Sequence, residues 1–400
     1  MENSEIILQN PQKKMNIGIF AIYIYILLLC IGHYPIMGPE VQQAWLYLFI
    51  GIGGAAILLN IGSFRIIPYF VWYGGFMLLS LFSCFYAVNQ NVALLGLYRL
   101  FVVLSVMVAV GVLTRSKEDI KKILVCFSVS GFILFVILVA EDLLTSTKGR
   151  LGDELFGNAN DFATLVMLCA FCSIWLILGS SGIQRIIYSV FLATQGYSLL
   201  LSGGRKYILI PLVFTYLFFY LKNDNKLSLV RNTVVFATLV ALLFIAMFNI
   251  PQFYDIVGYR MEGLFGMVTG EVAMVEDTIR IEMIQYGYEF FGGQPLLGSG
   301  IDNYQVLYGH ITGEYVYSHN NFMEMLVNLG VVGFVFYYSF YGYLLYKLWA
   351  KPRDSRNLRE FFLAFIISLL ALEIGAVTYV VQELQMVMLL ASIFVVTGDE

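Results

Sequence analysis

The chain has 400 residues, of which 60% are hydrophobic and 12% are charged, and its formal net charge is −4. A soluble domain carries about 25% charged residues, so this composition excludes a soluble protein and indicates a polytopic α-helical membrane protein. No block of Lys and Arg residues with interleaved aromatic residues is present, so nucleic acid is not an expected partner. The cysteines all lie inside apolar segments, so neither a disulfide framework nor a metal site is expected from them.

Long apolar runs recur along the whole sequence. A hydrocarbon core about 30 Å thick needs about 20 apolar residues per helix. The runs predict an all-α fold with about twelve transmembrane helices, at residues 15–36, 42–62, 66–86, 91–113, 120–143, 160–179, 183–201, 204–221, 230–250, 319–346, 361–381 and 383–397. The first run is longer than a signal-peptide core and lacks a small-residue cleavage site, so we interpret it as a retained helix. Residues 1–400 are expected to form a single membrane domain.

The distribution of basic residues predicts the orientation. An even number of helices places both termini on the same side, and with both in the cytoplasm the inner loops contain most of the Lys and Arg residues. This is the bias of the positive-inside rule. The connection between the ninth and tenth helices, residues 251–318, is then extracytoplasmic.

This 251–318 loop is the one long polar interruption in the sequence, and we expect it to pack on the outer face of the membrane domain. Structureless loops longer than about 12–15 residues are uncommon and are usually functional or disordered. Its many aromatic residues argue against disorder, and apolar residues at helical spacing predict an amphipathic helix over 274–291. The loop is acidic, and its only basic residues are Arg260 and Arg280. An ion pair of Arg280 with Glu276 or Asp277 on a solvated face is the alternative interpretation of Arg280.

Six basic residues are predicted on the outer side, where topology selects against them: Lys148, Arg150, Arg205, Lys206, Arg260 and Arg280. Arg205 and Lys206 follow a tight Ser202-Gly203-Gly204 turn, in which glycine lets the chain reverse and brings backbone close to a ligand. Snorkelling of long basic side chains to the interface is the competing explanation.

Polar residues at the predicted helix ends complete the candidate site. His319, Asn320 and Asn321 stand where the loop re-enters the membrane, and imidazole suits proton transfer near neutral pH. Asn158 and Asn160 open the sixth predicted helix, where helix capping alone would explain one of them. Arg99 and Glu373 fall inside predicted helices. Charges there are costly and indicate function, although pairing of these two with each other is the alternative.

A glycine-rich turn follows the predicted amphipathic helix, at Pro295-Leu296-Leu297-Gly298-Ser299-Gly300. Its spacing and context match neither a P-loop nor a dinucleotide-binding fingerprint. We therefore expect these glycines only to permit a tight backbone.

Taken together, these motifs resemble the bacterial O-antigen ligase and polysaccharide polymerase family. The resemblance rests on features that occur in a fixed order: Gly157-Asn158-Ala159-Asn160-Asp161 opening a helix, the Gly204-Arg205 turn, the large outer loop with Arg280, the 295–300 turn, and His319-Asn320 followed by Glu324, Gly330 and Gly333. The family usually has Asn-Pro-Asn where this chain has Asn158-Ala159-Asn160, and a Ser just before the turn arginine.

The resemblance implies a metal-independent, inverting glycosyltransferase of the bacterial cytoplasmic membrane, without a cofactor. Such enzymes transfer a glycan from an undecaprenyl diphosphate carrier to a sugar hydroxyl outside the membrane. The implied partners are the carrier-linked glycan, membrane lipid and a possible chain-length regulator. The implied catalytic residues are His319, Arg280 and Arg205, and the expected substrate-binding residues are Asn158, Asn160, Lys206, Arg260, Asn320 and Arg99.

Three functions remain open from the sequence. The first is a polymerase that joins repeat units into a capsular, exopolysaccharide or O-antigen chain, and the second is a ligase that transfers finished polymer to a lipid or other acceptor. The third is a transporter or flippase, since twelve helices are common in that class. No two-fold repeat and no pair of interrupted helices is visible in the sequence, which disfavours a transporter.

Overall fold

The computed structural model of the chain describes residues 18–31, 39–59, 65–146, 150–223, 225–269, 275–353 and 357–397. Throughout these residues the regular secondary structure is helical, which confirms the predicted all-α class. In chain order the helices are α1 (Gly18–Ile31), α2 (Pro39–Leu59), α3 (Pro68–Ser83), α4 (Gln90–Leu113), α5 (Lys117–Ala140), α6 (Leu143–Ser146), α7 (Asp153–Phe156), α8 (Ala159–Gly179), α9 (Gly182–Leu201), α10 (Arg205–Lys222), α11 (Lys226–Asn249), α12 (Pro251–Phe253), α13 (Tyr259–Thr269), α14 (Val275–Gly293), α15 (Tyr304–Thr312), α16 (Asn321–Ala350), α17 (Leu358–Glu373) and α18 (Gln382–Val396).

A helix lies at each of the twelve positions predicted from the apolar runs. Within the described residues, six helices are long and apolar enough to cross a membrane, namely α2, α4, α5, α8, α11 and α16. The structure therefore supports an α-helical membrane protein, and the number of twelve spans stays a prediction. Lys148 lies outside the described residues.

The bundle packs around α8, which is buried along most of its length. A polar tie joins this helix to its neighbours α5 and α9: the Ser173 hydroxyl donates to Gln195 Oε1 at 2.8 Å, and Gln195 Nε2 donates to the Ser128 carbonyl at 3.0 Å. A Cβ atom on Gly131 of α5 would lie 2.6 Å from Cys169 Cβ of α8, so α5 and α8 pack closely at this point. Cys169 and Cys172 are buried and free, as packing residues would be.

Residues 251–318 are largely helical. They contain α12, a π-helical turn at Tyr254–Gly258, and α13, α14 and α15. The predicted helix over 274–291 is confirmed as α14. Met283 on α14 packs with Tyr304 and Tyr308 of α15 and with Met323 and Val327 of α16, and this cluster holds α14 and α15 against the start of α16.

The long helix α16 is interrupted at Gly330, where φ is +64° and ψ is −166°. This conformation is accessible to glycine and strained for other residues. The interruption leaves backbone groups on both sides without helical partners, and the glycine-rich turn satisfies them. The amides of Ser299 and Gly300 donate to the carbonyls of Val327 and Asn328 at 2.8 and 2.9 Å, and the amide of Val331 donates to the Pro295 carbonyl at 2.8 Å.

Glycine is required on both sides of this junction. A Cβ atom on Gly330 would lie 2.3 Å from the Leu296 backbone, and one on Gly298, whose φ is +70°, would lie 2.5 Å from the Asn328 backbone. We expected the glycines of this turn only to permit a tight backbone, and the structure shows which backbone contacts require them. The 295–300 turn fills the break in α16 and anchors the 251–318 region to the bundle.

We predict that Gly330→Ala and Gly298→Ala each lower the thermal unfolding temperature of the purified protein. The positive φ alone costs roughly 1–3 kcal/mol, and the overlap with backbone adds to this cost. Gly342→Ala in the same helix is the matched control, because a Cβ there meets nothing within 4 Å. Equal unfolding temperatures for Gly330→Ala and Gly342→Ala would contradict this account of the junction.

Candidate functional site

Several of the predicted outer basic residues converge at one end of the bundle. Arg280 of α14 interacts electrostatically with Lys206 at the start of α10 and with His319 just before α16. Arg150, in the segment before α7, interacts with Lys206 in the same way. We call Arg150, Lys206, Arg280 and His319 the basic cluster. Its members come from four separate parts of the chain.

Arg205 lies beside this cluster and is engaged in a buried ion pair. Its Nη1 donates to Asp277 Oδ2 at 2.9 Å and to the Arg260 carbonyl at 3.0 Å, and its Nη2 donates to Asp277 Oδ1. Both side chains of the pair are almost fully buried. Hydrogen bonding from Arg205 holds the pKa of Asp277 below its ordinary value. The pair locks α14 against α10 and thereby positions Arg280.

The alternative of an ion pair between Arg280 and Asp277 on a solvated face is wrong, because the buried Asp277 bonds to Arg205. The alternative pairing of Arg280 with Glu276 involves a side chain outside the described part of the chain. Bidentate contact with a carboxylate uses the same guanidinium fork that would bind a phosphate. The predicted catalytic role of Arg205 stays a prediction, and in this geometry the fork is occupied. Arg260 is also buried, with its backbone carbonyl bonded to Arg205, and its predicted role in substrate binding remains untested.

His319 occupies a tight turn at the entrance to α16. Its φ is +54°, in the left-handed region. The Ser318 hydroxyl donates to the Asn320 carbonyl at 2.8 Å, and Asn320 Oδ1 caps the helix by accepting from the Met323 amide at 3.0 Å. The imidazole packs on Tyr317, with ring centroids 4.3 Å apart. The turn therefore fixes the direction in which the imidazole points.

The surroundings of His319 keep its imidazole neutral. Burial, together with the positive charges of Arg280 and Lys206, lowers the pKa of His319 from 6.5 to about 4. Two cations near a titratable imidazole disfavour its protonated form. At neutral pH His319 can therefore accept a proton.

Two of the predicted binding residues donate hydrogen bonds to the turn that follows α17. Asn320 Nδ2 donates to the Ile374 carbonyl at 3.1 Å, and Lys206 Nζ donates to the Gly375 carbonyl. Glu373, just before this turn, accepts from the hydroxyls of Tyr338 and Tyr341 at 3.0 and 2.7 Å. The buried Glu373 thus anchors a turn whose carbonyls orient Lys206 and Asn320.

Asn158 and Asn160 lie at the start of α8, where Asn160 contacts Arg150 of the basic cluster. Asn158 caps α8, with its Oδ1 accepting from the Asn160 amide at 2.8 Å. Ala159 takes the first helical position, where proline is also favoured, so the departure from Asn-Pro-Asn leaves the cap intact. Asn160 Oδ1 accepts from Arg150 Nη2 at 3.2 Å, and Arg150 Nε donates to the Ser202 carbonyl at 2.7 Å. Sequence reasoning noted Arg150 as an outer basic residue but left it out of the site.

Arg99 lies apart from the basic cluster. Its side chain is 54% exposed, and its Nη1 lies 3.1 Å from Asp302 Oδ2. Asp302 also accepts from the Tyr379 hydroxyl. The suggested pairing of Arg99 with Glu373 is therefore wrong, since each has other partners. The role of Arg99 in substrate binding stays a prediction.

A cavity of about 570 Å³ opens at the same end of the bundle. It lies between the C-terminal end of α1 and the N-terminal ends of α2, α4, α8, α16 and α18. Arg99, Asn158 and Tyr317 are among its lining residues, whereas Arg205, Lys206, Arg280 and His319 are not. Tyr317 bonds to Asn158 and packs on His319, so it stands between the cavity and the basic cluster.

The described residues contain no group of three or more His, Cys, Asp or Glu side chains arranged to hold a metal ion. The basic cluster and the bonded amides around it are instead suited to anions and hydroxyl groups. The expectation of a metal-independent reaction stays a prediction.

Part of the chain matches a known protein family. The model of the O-antigen ligase family matches residues 187–338, a stretch that begins in α9 and ends in α16. It includes Lys206, Arg280 and His319 of the basic cluster, together with Arg205 and Arg260, and it leaves Asn158, Asn160 and Arg99 outside. No curated protein matches the chain.

We predict that Asp277→Ala destabilises the protein by roughly 3–5 kcal/mol, because it leaves the buried Arg205 without its carboxylate. Thermal unfolding of the purified protein measures this. Glu289→Ala is the matched control, since Glu289 is exposed on the same helix. The swapped pair Arg205→Asp with Asp277→Arg should recover part of the lost stability if the two residues act mainly as a lock. Equal stability of Asp277→Ala and Glu289→Ala would contradict the claim that the Arg205–Asp277 pair holds α14 on α10.

We also predict that Arg280→Gln raises the pKa of His319 from about 4 toward its ordinary 6.5, because removing a nearby cation favours the imidazolium. Histidine-labelled NMR of the full chain measures the titration, with His319→Gln assigning the signal. Arg185→Gln, at an exposed arginine that bonds to the Ser180 carbonyl, should leave the titration unchanged. A wild-type pKa near 6.5, or no change in Arg280→Gln, contradicts the assignment.

Proposed function

Because residues 187–338 match the model of the O-antigen ligase family, we propose that this chain is a membrane glycosyltransferase that extends a glycan carried on undecaprenyl diphosphate. In this proposal it is a polymerase that joins repeat units into a capsular, exopolysaccharide or O-antigen chain, with inversion and without a metal. The observation that carries the proposal is the neutral imidazole of His319 beside the cations Arg280 and Lys206. A base next to an anion site is what transfer from a diphosphate needs.

Arg280 is the primary candidate for binding the diphosphate. The Asp277 carboxylate is bonded to Arg205 and interacts with Arg280 only electrostatically. A guanidinium fork matches phosphate oxygens. Lys206 is largely buried beside Arg280 and Arg150, and a bound diphosphate would favour its charged form. A diphosphate is a good leaving group whose departure requires stabilisation of negative charge, and preorganised cations are often the largest catalytic contribution.

His319 is the candidate general base. The acceptor hydroxyl transfers its proton to the imidazole, and its oxygen forms a bond to the anomeric carbon on the face opposite the diphosphate. The anomeric C–O bond to the diphosphate breaks, and its electron pair leaves with the carrier. A bound diphosphate would offset the charges of Arg280 and Lys206 and raise the basicity of His319 when the donor is present. General-base catalysis of this kind contributes roughly 10²–10⁴-fold.

The proposed topology has twelve spans with both termini in the cytoplasm. The basic cluster lies where α8, α10 and α16 begin, and α14 of the 251–318 region covers it. In the proposed orientation this end is the outer face of the bacterial cytoplasmic membrane. Carrier-linked units would then reach the site after they have crossed the membrane, and a chain-length regulator would act at the same face.

We predict that Arg280→Ala lowers the rate of glycan transfer by roughly 10²–10³-fold and that His319→Ala lowers it by roughly 10²–10⁴-fold, while both variants still insert into the membrane. The assay uses purified enzyme and carrier-linked repeat units in the presence of EDTA. His310→Ala and Arg185→Ala, both at exposed positions, are matched controls and should retain activity. A wild-type rate of glycan transfer by Arg280→Ala or His319→Ala would contradict the proposed role of that residue. Restoration of an inactive EDTA sample by divalent metal would refute the metal-free mechanism.

Deletion of the gene tests the polymerase proposal against the other two functions. Loss of a polymerase leaves single carrier-linked repeat units at the outer face, and we expect this result. Loss of a ligase would leave unattached polymer, and loss of a flippase would leave units on the cytoplasmic side. Mass spectrometry of the lipid-linked glycans distinguishes the three outcomes, and complementation with the intact gene is the control.

A further inference from the structure

A buried carboxyl group outside the basic cluster contacts the backbone that carries His319. Glu324, in the first turn of α16, is 1% exposed, and its Oε2 accepts from the Ser318 amide at 2.9 Å. Its Oε1 accepts from Asn328 Nδ2 at 3.1 Å. Ser318 immediately precedes His319, so Glu324 holds the backbone on one side of the candidate base. Asn320 holds it on the other side, through its bonds to Met323 and Ile374.

Asn328 extends these contacts to the helix that carries Arg280. Its Oδ1 accepts from the Tyr304 amide, at the start of α15, at 2.8 Å. The Tyr304 hydroxyl in turn donates to the Met283 carbonyl of α14 at 2.6 Å. Met283 follows Arg280 by three residues, which is less than one helical turn. A continuous series of hydrogen bonds therefore joins the turn of His319 to the helix of Arg280.

The directions of these hydrogen bonds require two acceptor atoms at position 324. The oxygen of Asn328 is bonded to the Tyr304 amide, so its NH₂ group must face Glu324. The partner on the other side, the Ser318 amide, is also a donor. A carboxyl group accepts at both oxygens, whether it is ionised or carries one proton, whereas a glutamine amide accepts at one end and donates at the other. Glu324→Gln would thus set a donor against a donor, and a buried polar group without a partner is costly.

The backbone of His319 needs this support. Its φ of +54° lies in the left-handed region, which residues with a Cβ atom rarely adopt. Such a conformation persists only where the surrounding structure determines it. The bonds made by Glu324 and Asn320 fix the residues on both sides of His319. Without the bond to Glu324, the turn could relax and the imidazole would shift relative to Arg280.

We propose that Glu324 is a positioning residue for His319, which it holds next to Arg280 through its bonds to Ser318 and Asn328. Its importance for catalysis rests on the function proposed above, whereas the placement of His319 does not. Glu324 acts through the backbone and takes no part in the proton transfer itself. A displacement of about 1 Å in a catalytic group can lower a rate by about 10²-fold.

The first test follows the titration of His319 in the full chain in nanodiscs by histidine-labelled NMR. Glu324→Gln preserves the size of the side chain and removes one acceptor. The imidazole should move away from Arg280 and Lys206, and its pKa should rise from about 4 toward 6.5. Gln195→Leu is the matched control, because it removes buried hydrogen bonds that join α5, α8 and α9. It should lower the thermal unfolding temperature and leave the His319 titration unchanged.

A double variant separates positioning from a folding defect. In Glu324→Gln with Asn328→Asp, the new amide NH₂ group faces the new carboxylate, and the new amide oxygen faces the Ser318 amide. The other carboxylate oxygen faces the Tyr304 amide, so every donor again meets an acceptor. We expect this double variant to restore the wild-type titration of His319. Asn328→Asp alone should not, because it sets two carboxyl groups against each other.

The second test measures transfer from carrier-linked repeat units. Glu324→Gln should lower kcat by roughly 10²-fold and leave the KM for the carrier-linked unit nearly unchanged, because the Arg205–Asp277 pair still holds α14 and Arg280. The double variant should recover most of the lost kcat. A general folding defect would instead reduce the amount of active enzyme in proportion to the loss of folded protein.

A wild-type His319 titration in Glu324→Gln would overturn the proposal, and so would a shifted titration that the double variant fails to restore. If Glu324→Gln does not fold, the double variant decides: a wild-type titration supports the proposal, and failure to fold overturns it. If the titration shifts and recovers as expected while His319→Ala retains glycan transfer, the proposed base fails and the positioning of His319 by Glu324 stands. If His319→Ala loses transfer and Glu324→Gln changes neither the titration nor kcat, the base stands and the positioning role fails.

Discussion

The architecture depends on the junction between the break in α16 and the 295–300 turn. Backbone amides and carbonyls in apolar surroundings must find partners within the protein, and an interruption at Gly330 exposes such groups. The amides of Ser299 and Gly300 and the carbonyl of Pro295 supply the partners. This docking places α14 and α15 over the end of the bundle. It also sets the direction of the first turns of α16, which Asn320 caps and His319 precedes.

A second layer of organisation is electrostatic. Arg205 and Asp277 neutralise each other in a buried pair that holds α14 on α10, so the charge available at the surface of the site belongs to Arg280 and Lys206. Burial, together with Arg280 and Lys206, keeps His319 neutral, and Tyr317 stands between His319 and the adjacent cavity.

Sequence reasoning located the helices, including α14 from its periodicity. It also selected His319 and Arg280, which the structure brings together, and their catalytic role stays a prediction. It failed where a side chain had several candidate partners at different distances along the chain. Asp277 stands three residues from Arg280 and yet bonds to Arg205, and Arg99 bonds to Asp302 and not to Glu373. Arg150 was left out because nothing in its local sequence shows that it contacts Asn160 and Ser202. The family match places His319 and Arg280 in a common domain, and it leaves the choice between polymerase and ligase to experiment.

The sequence by itself determined the helical class and the positions of the apolar segments, because apolar length and periodicity are local properties that the chain displays residue by residue. It also indicated which side chains are chemically able to bind a diphosphate or to accept a proton. Only the tertiary structure decided which arginine is paired with a carboxylate, which glycines are required at the break in α16, and where a cavity opens near His319. These are contacts between residues distant in sequence, such as Arg205 with Asp277 and Gly298 with Asn328, and their geometry exists only after the helices have packed.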